Sequence, residues 1–295
     1  MSESYFFNGN EIGKPSSWMG KSFTDGNFWY KVFSDEKACK REAEMLQCAS
    51  AICKEGIVKI ENNGELHIQG EDGSETKLYA IQEELVDGLV FKSYVETHHD
   101  EDEGAAFFKE LADLLSELYN NGNGILHNDI QPKNVFIRSN GKPVLIDFGI
   151  SKKVKEPLQE FHYNVTEFFS SPEKKQRGAH PVSVSGDIFS FGKMMKFYMD
   201  WNPNRGAASY SKEFRAIYNK CVEREYSSFE DVAADLNEML QRKETLQEDD
   251  QANETHRLKW SIKELVPKLF PGLPTFLYIV SACLLINAIV LIFFK

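Results

Sequence analysis

Two polar loops flanking a short apolar run limit the fold of this chain more than anything else in it. The first is His127-Asn-Asp-Ile-Gln-Pro-Lys-Asn134; the second, Asp147-Phe-Gly149, begins thirteen residues after Asn134. Directly before Asp147, Val144-Leu-Ile146 has the composition of a buried strand. The tripeptide alone would be a weak signal. Two such loops in this order, with a strand between, demand a scaffold that holds two carboxylates and an amide near one another.

Around this centre the pattern changes character once. Residues 1–95 read as strands with one helix: Phe28-Trp-Tyr-Lys-Val-Phe33 is an aromatic strand, and Asp35–Leu46 is a charged helical stretch. Ile57–Ile60, Glu65–Gln69 and Lys77–Leu85 read as further strands joined at Asn63-Gly64 and Asp72-Gly73. Beyond them, Phe107, Phe108, Leu111, Leu114, Leu115 and Leu118 mark one face of a helix over about 105–120. Phe214, Ile217, Cys221 and Val222, then Val232, Leu236, Met239 and Leu240, mark two more. From Gln241 to Thr255 only Leu246 is large and apolar, so this stretch reads as a linker.

The paired loops resemble the catalytic and metal-binding loops of protein kinases, H-x-D-x-x-x-x-N followed by D-F-G. Phosphoryl transfer is mainly positioning and charge neutralisation, so a carboxylate is needed beside the acceptor hydroxyl and oxygen ligands for Mg²⁺ beside the phosphates. The resemblance implies Asp129 as the catalytic base and Asn134 and Asp147 as the metal ligands. Lys31, in Tyr30-Lys31-Val32, resembles the strand lysine that grips the nucleotide phosphates, and Glu42 has the spacing of its helical partner. Gly13 and Gly20, in Gly13-Lys-Pro-Ser-Ser-Trp-Met-Gly20, are the candidate phosphate lid; Glu84 and Leu85, within Glu83–Gly88, are the candidate hinge that holds the base. Ser171-Pro-Glu173 resembles A-P-E, and Asp187-Ile-Phe-Ser-Phe-Gly192 resembles the D-x-W-S-x-G start of the central helix of the large lobe. Thr166 stands where Ser/Thr kinases carry a threonine in the peptide-accepting loop.

The implied architecture is α+β, with a β-rich lobe at 1–86 and a helical lobe at 87–240. A juxtamembrane linker at 241–268 and a C-terminal transmembrane helix at 275–294 complete it. The implied activity is transfer of the ATP γ-phosphoryl group, with Mg²⁺, to Ser or Thr of protein substrates. Three departures from the family pattern keep two rivals open. The lid has two glycines and a proline instead of G-x-G-x-x-G, Gln131 stands in place of a lysine, and Asn128 in place of the arginine of H-R-D. An inactive pseudokinase used as a binding module fits the altered lid, and a small-molecule or lipid-headgroup kinase fits Gln131. The A-P-E-like and D-x-F-S-F-G segments argue for a peptide substrate instead.

Charge and hydropathy set the surroundings. The chain carries −11, and Lys295 is the only charged residue after position 274, so the remainder carries −12. That excludes a binder of nucleic-acid backbone, which needs a basic face. Thr275 to Phe294 is twenty residues without a charge, roughly 30 Å as a helix and thus matched to a bilayer core. Arg257, Lys259, Lys263 and Lys268 lie just upstream, which puts the kinase-like region on the cytoplasmic side. A flexible linker would give a reach of about 30 Å, favouring membrane-proximal substrates. The start, Met1-Ser-Glu-Ser-Tyr-Phe-Phe7, lacks a basic n-region, which argues against a secretory signal. Cysteines 39, 48, 53, 221 and 283 form no CxxC pair. The run His98-His-Asp-Glu-Asp-Glu103 reads as a solvated loop rather than a metal site, and the Asn253-Glu-Thr255 sequon as an unused one.

Overall fold

A computed structural model describes residues 3–15, 17–19, 21–122, 124–154, 168–172, 183–201 and 209–269. The chain forms two compact units, Met1–Asn237 and Glu238–Lys295.

The first unit begins with strands β1 (Ser4–Phe7), β2 (Asn10–Ile12), β3 (Ser17–Met19), β4 (Ser22–Thr24) and β5 (Phe28–Phe33). Helix α1 (Glu36–Ile52) follows, then β6 (Ile60–Gln69) and β7 (Glu75–Glu84). All seven strands join one sheet in the order β2-β1-β6-β7-β5-β4-β3. Its strands alternate because one face is dry: Phe7, Phe23, Tyr30, Val32, Leu66 and Ala80 form an apolar cluster. Phe23 stacks on Tyr30 at 4.9 Å between ring centroids. The aromatic strand lies where its composition places it. Asn63-Gly64, however, is not a turn: β6 runs through it with a bulge between Ile60 and Asn62. The hairpin turns instead at Asp72-Gly73, where Gly73 has a φ of +80° that a side chain would strain. Ile57–Ile60 is not a separate strand either; Ile57 makes an isolated parallel bridge to Leu145.

α1 starts where the sequence places it, because the Asp35 carboxylate accepts from the Lys37 and Ala38 amides and caps the first turn. It then runs to Ile52, six residues past Leu46. Its buried positions include Glu42, Ala43, Met45, Leu46 and Ala49.

After β7 come β8 (Gly88–Val90), α2 (Phe91–Tyr94), α3 (Glu101–Asn120), β9 (Ile125–Leu126), β10 (Val135–Arg138), β11 (Pro143–Leu145) and β12 (Lys152–Lys153). Strands β11, β10 and β8 form one small sheet and β12 and β9 another. α3 carries the expected apolar face, with Phe107, Phe108, Leu111, Leu115 and Leu118 buried. It starts earlier than the apolar pattern because Asp100 caps it through the Asp102 and Glu103 amides. That accounts for part of the 98–103 run, and His98 stacks on Tyr94 at 3.9 Å. Helices α4 (Val184–Trp201), α5 (Lys212–Glu223) and α6 (Phe229–Leu269) complete the described elements. Phe191, Phe214 and Phe229 of these three helices are fully buried.

The stretch read as a flexible linker is helical: α6 is continuous through Leu269. Its polarity describes a solvated helix rather than coil, with Arg242 paired to Glu238 and Leu246 and Trp260 exposed. From 241 to 268 a helix spans roughly 42 Å, which replaces the coil estimate of reach. Among the described residues no helix is long and apolar enough to cross a membrane. The Thr275–Phe294 run lies outside the described residues.

Candidate active site

Lys31 projects from β5 into a cluster drawn from three elements. Its ammonium lies 2.5 Å from Glu42 Oε1 on α1 and 2.7 Å from Asp147 Oδ1 on the loop after β11. Burial alone would push the Lys31 pKa down, but the two carboxylates overcome it and hold it well above the usual lysine range. Burial likewise works against an ionised Asp147, and the Lys31 charge reverses the balance, keeping that carboxyl below its ordinary value. Glu42 is the most enclosed of the three; burial raises its pKa against the pull of Lys31. Gly149 completes this corner, since a Cβ there would sit 2.9 Å from Glu42 Oε2. The D-F-G glycine thus leaves room for the helix carboxylate to approach closely.

The second cluster is the 127–134 loop, in which the Asp129 carboxylate is held on both oxygens. Gln131 Nε2 donates to Asp129 Oδ1 at 2.6 Å, and Asn134 Nδ2 donates to Asp129 Oδ2 at 2.8 Å and to the Asp129 carbonyl at 2.9 Å. His127 Nδ1 accepts the Asp129 amide at 3.2 Å, which leaves Nε2 as the donor to the Ile146 carbonyl at 3.1 Å. The Ile146 amide in turn donates to the Asn134 carbonyl at 3.0 Å, linking the two loops. Beneath them the buried Asp187 carboxylate of α4 accepts the His127 amide at 2.9 Å and the Asn128 amide at 3.0 Å.

Both loops contain a non-glycine residue in the left-handed region, Asn128 at φ +63° and Asp147 at φ +64°. Asparagine tolerates this conformation better than most residues, and here its Nδ2 also donates to the Ile150 carbonyl at 3.2 Å. Asn128 therefore closes the loop onto the segment after Asp147. Ser151 is fully buried and donates to the His127 carbonyl at 2.9 Å.

Other site candidates fall as follows. β7 ends at Glu84, whose amide donates to the Lys59 carbonyl and whose carboxylate pairs with Arg138 at 2.6 Å. Leu85 is the first residue of the connector between the lobes and is exposed. Gly13 follows β2, against Asp25. β3 and β4 pair with Met19 opposite Ser22, so only two positions separate them. Gly20, Thr166 and Glu173 lie outside the described residues.

The oxygens present suit a magnesium ion. Asn134 spends its amide hydrogens on Asp129 and keeps its side-chain oxygen unbonded, and Asp147 is held ionised. One carboxylate and one amide oxygen, with phosphate oxygens and water, are the donor set Mg²⁺ commonly takes. Among the described residues no three His, Cys, Asp or Glu side chains gather as a metal site of their own.

Two residues of the site went unassigned from sequence. Asp187 was visible as the start of a motif, but its hold on the catalytic loop was not. Glu83, buried on the Lys31 side of the sheet, was hidden within the hinge. Its signal was the pair Glu83-Glu84 at a strand end, because alternation must turn one of two successive residues inward.

The family model described as protein kinase domain matches residues 30–266. The chain is 29% identical to sperm motility kinase 2B of Mus musculus over 48% of this chain and 29% of that protein. It is 30% identical to the probable serine/threonine-protein kinase PknB of Lactococcus lactis over 40% of this chain and 19% of that protein. Protein-tyrosine kinase 6 of Mus musculus is 31% identical over 32% of this chain and 22% of that protein. The matched stretches thus span less than a third of the length of each of these relatives.

Proposed function

This chain belongs to the protein kinase family, and we propose that it is a membrane-anchored enzyme that transfers the ATP γ-phosphoryl group to Ser or Thr of protein substrates. The observation that carries the reading is Lys31 bridging Glu42 and Asp147, next to an Asp129 carboxylate held by Gln131 and Asn134. In this reading Asp129 accepts the hydrogen bond of the substrate hydroxyl and takes its proton as the oxygen attacks phosphorus. Lys31 neutralises phosphate charge, and Glu42 fixes its position. Asn134 and Asp147 would hold Mg²⁺, which would supply neutralisation of phosphate charge. Gln131 leaves the site one positive charge poorer than a lysine would, so orientation by hydrogen bonding has the larger share of the work at Asp129.

Preference for Ser and Thr over Tyr rests on Thr166 and on the serine/threonine-protein kinase among the relatives, and preference for protein over small molecules on the A-P-E-like segment. Anchoring rests on the charge-free run 275–294 and the basic residues before it, with the kinase domain cytoplasmic and substrates near the lipid surface. The two-position β3–β4 connection favours one rival, a pseudokinase that binds without turnover. Incubation of the detergent-solubilised full chain with γ-labelled ATP, Mg²⁺ and generic protein substrates decides between them. Label on serine or threonine of protein, absent with Asp129→Ala, is expected; label on lipid alone, or none, would overturn the assignment.

A further inference from the structure

We propose that Glu83 is a specificity-determining residue of the nucleotide site, whose side-chain oxygen accepts a hydrogen bond from the exocyclic amino group of adenine. The inference rests on the nucleotide-binding reading above and deepens it.

Strand register places Glu83. β5 and β7 are antiparallel, with Lys31 opposite Ile81 and Trp29 opposite Glu83. Directly opposed residues share a sheet face, so Glu83 and Lys31 lie on the same face as diagonal neighbours, about 7–8 Å apart along the backbone. The other face carries Tyr30 and Ala80 into the apolar cluster. Glu83 therefore looks toward the side that Glu42 and Asp147 occupy.

There its carboxyl is stranded. Glu83 is 5% exposed, and its enclosed Oε1 has no hydrogen-bond partner. The cation within reach, Lys31, is committed to Glu42 and Asp147. Burial, with the two neighbouring carboxylates adding to it against Lys31, pushes the Glu83 pKa up to about 8. A buried polar group without a partner destabilises a fold, and an apolar side chain at this position would remove that cost. Retention of an acid at such a position points to a ligand that completes it.

The position identifies the ligand group. Glu83 directly precedes Glu84 and Leu85, the backbone assigned to the base, and Lys31 is the side chain assigned to the phosphates. A nucleotide spanning the two passes Glu83. On the adenine edge the ring nitrogens accept, and the exocyclic amino group donates. A carboxyl offers an acceptor oxygen in either protonation state, as does glutamine; leucine offers none.

The test pairs each side of this bond with its deletion. ATP and purine riboside triphosphate, which has hydrogen in place of the amino group, are titrated into the full chain, into Glu83→Gln and into Glu83→Leu. The parent should bind ATP about five- to tenfold more tightly than the analogue, as loss of one hydrogen bond allows. Glu83→Gln should keep that ratio within about twofold. In Glu83→Leu the ratio should fall to about one through loss of ATP affinity, while the variant melts at a higher temperature than the parent, showing that it folds. A parent ratio near one, or an unchanged ratio in Glu83→Leu, overturns the inference. Binding of neither nucleotide by the parent overturns the nucleotide-site reading itself, and this inference with it.

Discussion

Two carboxylates, Asp129 on the 127–134 loop and Glu83 on the inner wall of the strand lobe, are treated in opposite ways. Around Asp129 each carboxylate oxygen already accepts an amide, His127 is bonded through both ring nitrogens, and the backbone rests on Asp187. Some 45 residues earlier in the chain, Glu83 is buried and its Oε1 has no hydrogen-bond partner. Polar groups whose geometry must be set before the substrate arrives are satisfied by the protein. The Glu83 oxygen, left unsatisfied at a stability cost beside the nucleotide site, is completed by the ligand. The contrast also separates rigidity from recognition: the loop is fixed by internal bonds, whereas the wall gains its bond only on binding.

The largest effects should fall on the satisfied side. Asp129→Ala removes the proton acceptor and should cut turnover by about 10²–10⁴-fold while leaving nucleotide affinity nearly intact. Asp147→Ala should lose Mg²⁺-dependent ATP binding as well, because it strips one metal ligand and one partner of Lys31. Single-turnover kinetics beside direct nucleotide titration distinguishes the two; equal loss of binding in both would mean that the loops do not divide the labour as the geometry suggests.

Next in size is the support under the loop. Asp187→Ala leaves the His127 and Asn128 amides without their acceptor and should cost about 2–3 kcal/mol, the range for a buried charged hydrogen-bond partner. Asp187→Asn keeps an acceptor oxygen and should cost less. Urea denaturation measures both, and an Asp187→Ala variant as stable as the parent would break the claim that the loop is internally held.

The unsatisfied side should show itself through pH. The Glu83 carboxyl is raised from about 4.5 to about 8 in the folded chain, so the folded state holds its proton longer than the unfolded chain does. Its contribution to stability is therefore complete below about pH 4.5 and is lost as pH rises toward and through about 8. Glu83→Leu has no such term, so its stability advantage over the parent should widen between those limits. Melting curves across that range would show a constant difference if Glu83 titrates normally.

The smallest effect concerns the segment after Gly149. Asn128 is neutral and already bonded to the Ile150 carbonyl, so it offers no bidentate cation to a phosphate. Ser151 is fully buried with its hydroxyl donated to the His127 carbonyl, which keeps it from accepting a phosphate. Phosphatase treatment should change the rate by less than about threefold, since no ordering by phosphate through Asn128 is available to lose. A tenfold loss would place another basic residue in that role.

Much of the strand lobe and the site could be read from residues in order. Phe28–Phe33 is a strand because aromatic and β-branched side chains fit a pleated, half-buried surface, and α1 begins at Asp35 because that carboxylate caps it. The loop candidates Asp129, Asn134 and Asp147 stood out through the resemblance of their two loops to those of protein kinases. The N-terminal strands β1 to β4 were not individually legible: three- and four-residue strands carry too few side chains for periodicity to register. The helix beyond Gln241 was misread as coil because a helix wetted on all sides shows no apolar stripe, although its charged residues are good helix formers.

The sequence by itself named the side chains proposed to carry the chemistry, through short motifs that resemble those of protein kinases. Only the tertiary structure brings them into contact. Lys31, Glu42 and Asp147 come from three elements up to 116 positions apart, and no local rule sets that contact. The inward turn of Glu83 is the sharper case. Alternation in β7 requires one of Glu83 and Glu84 to face the lysine, but the register with β5 selects which, and a slip of one residue would exchange them. Register is set by the packing of the whole sheet, with Tyr30 and Ala80 on its dry face, so the identity of the buried acid is a property of the fold rather than of the dipeptide.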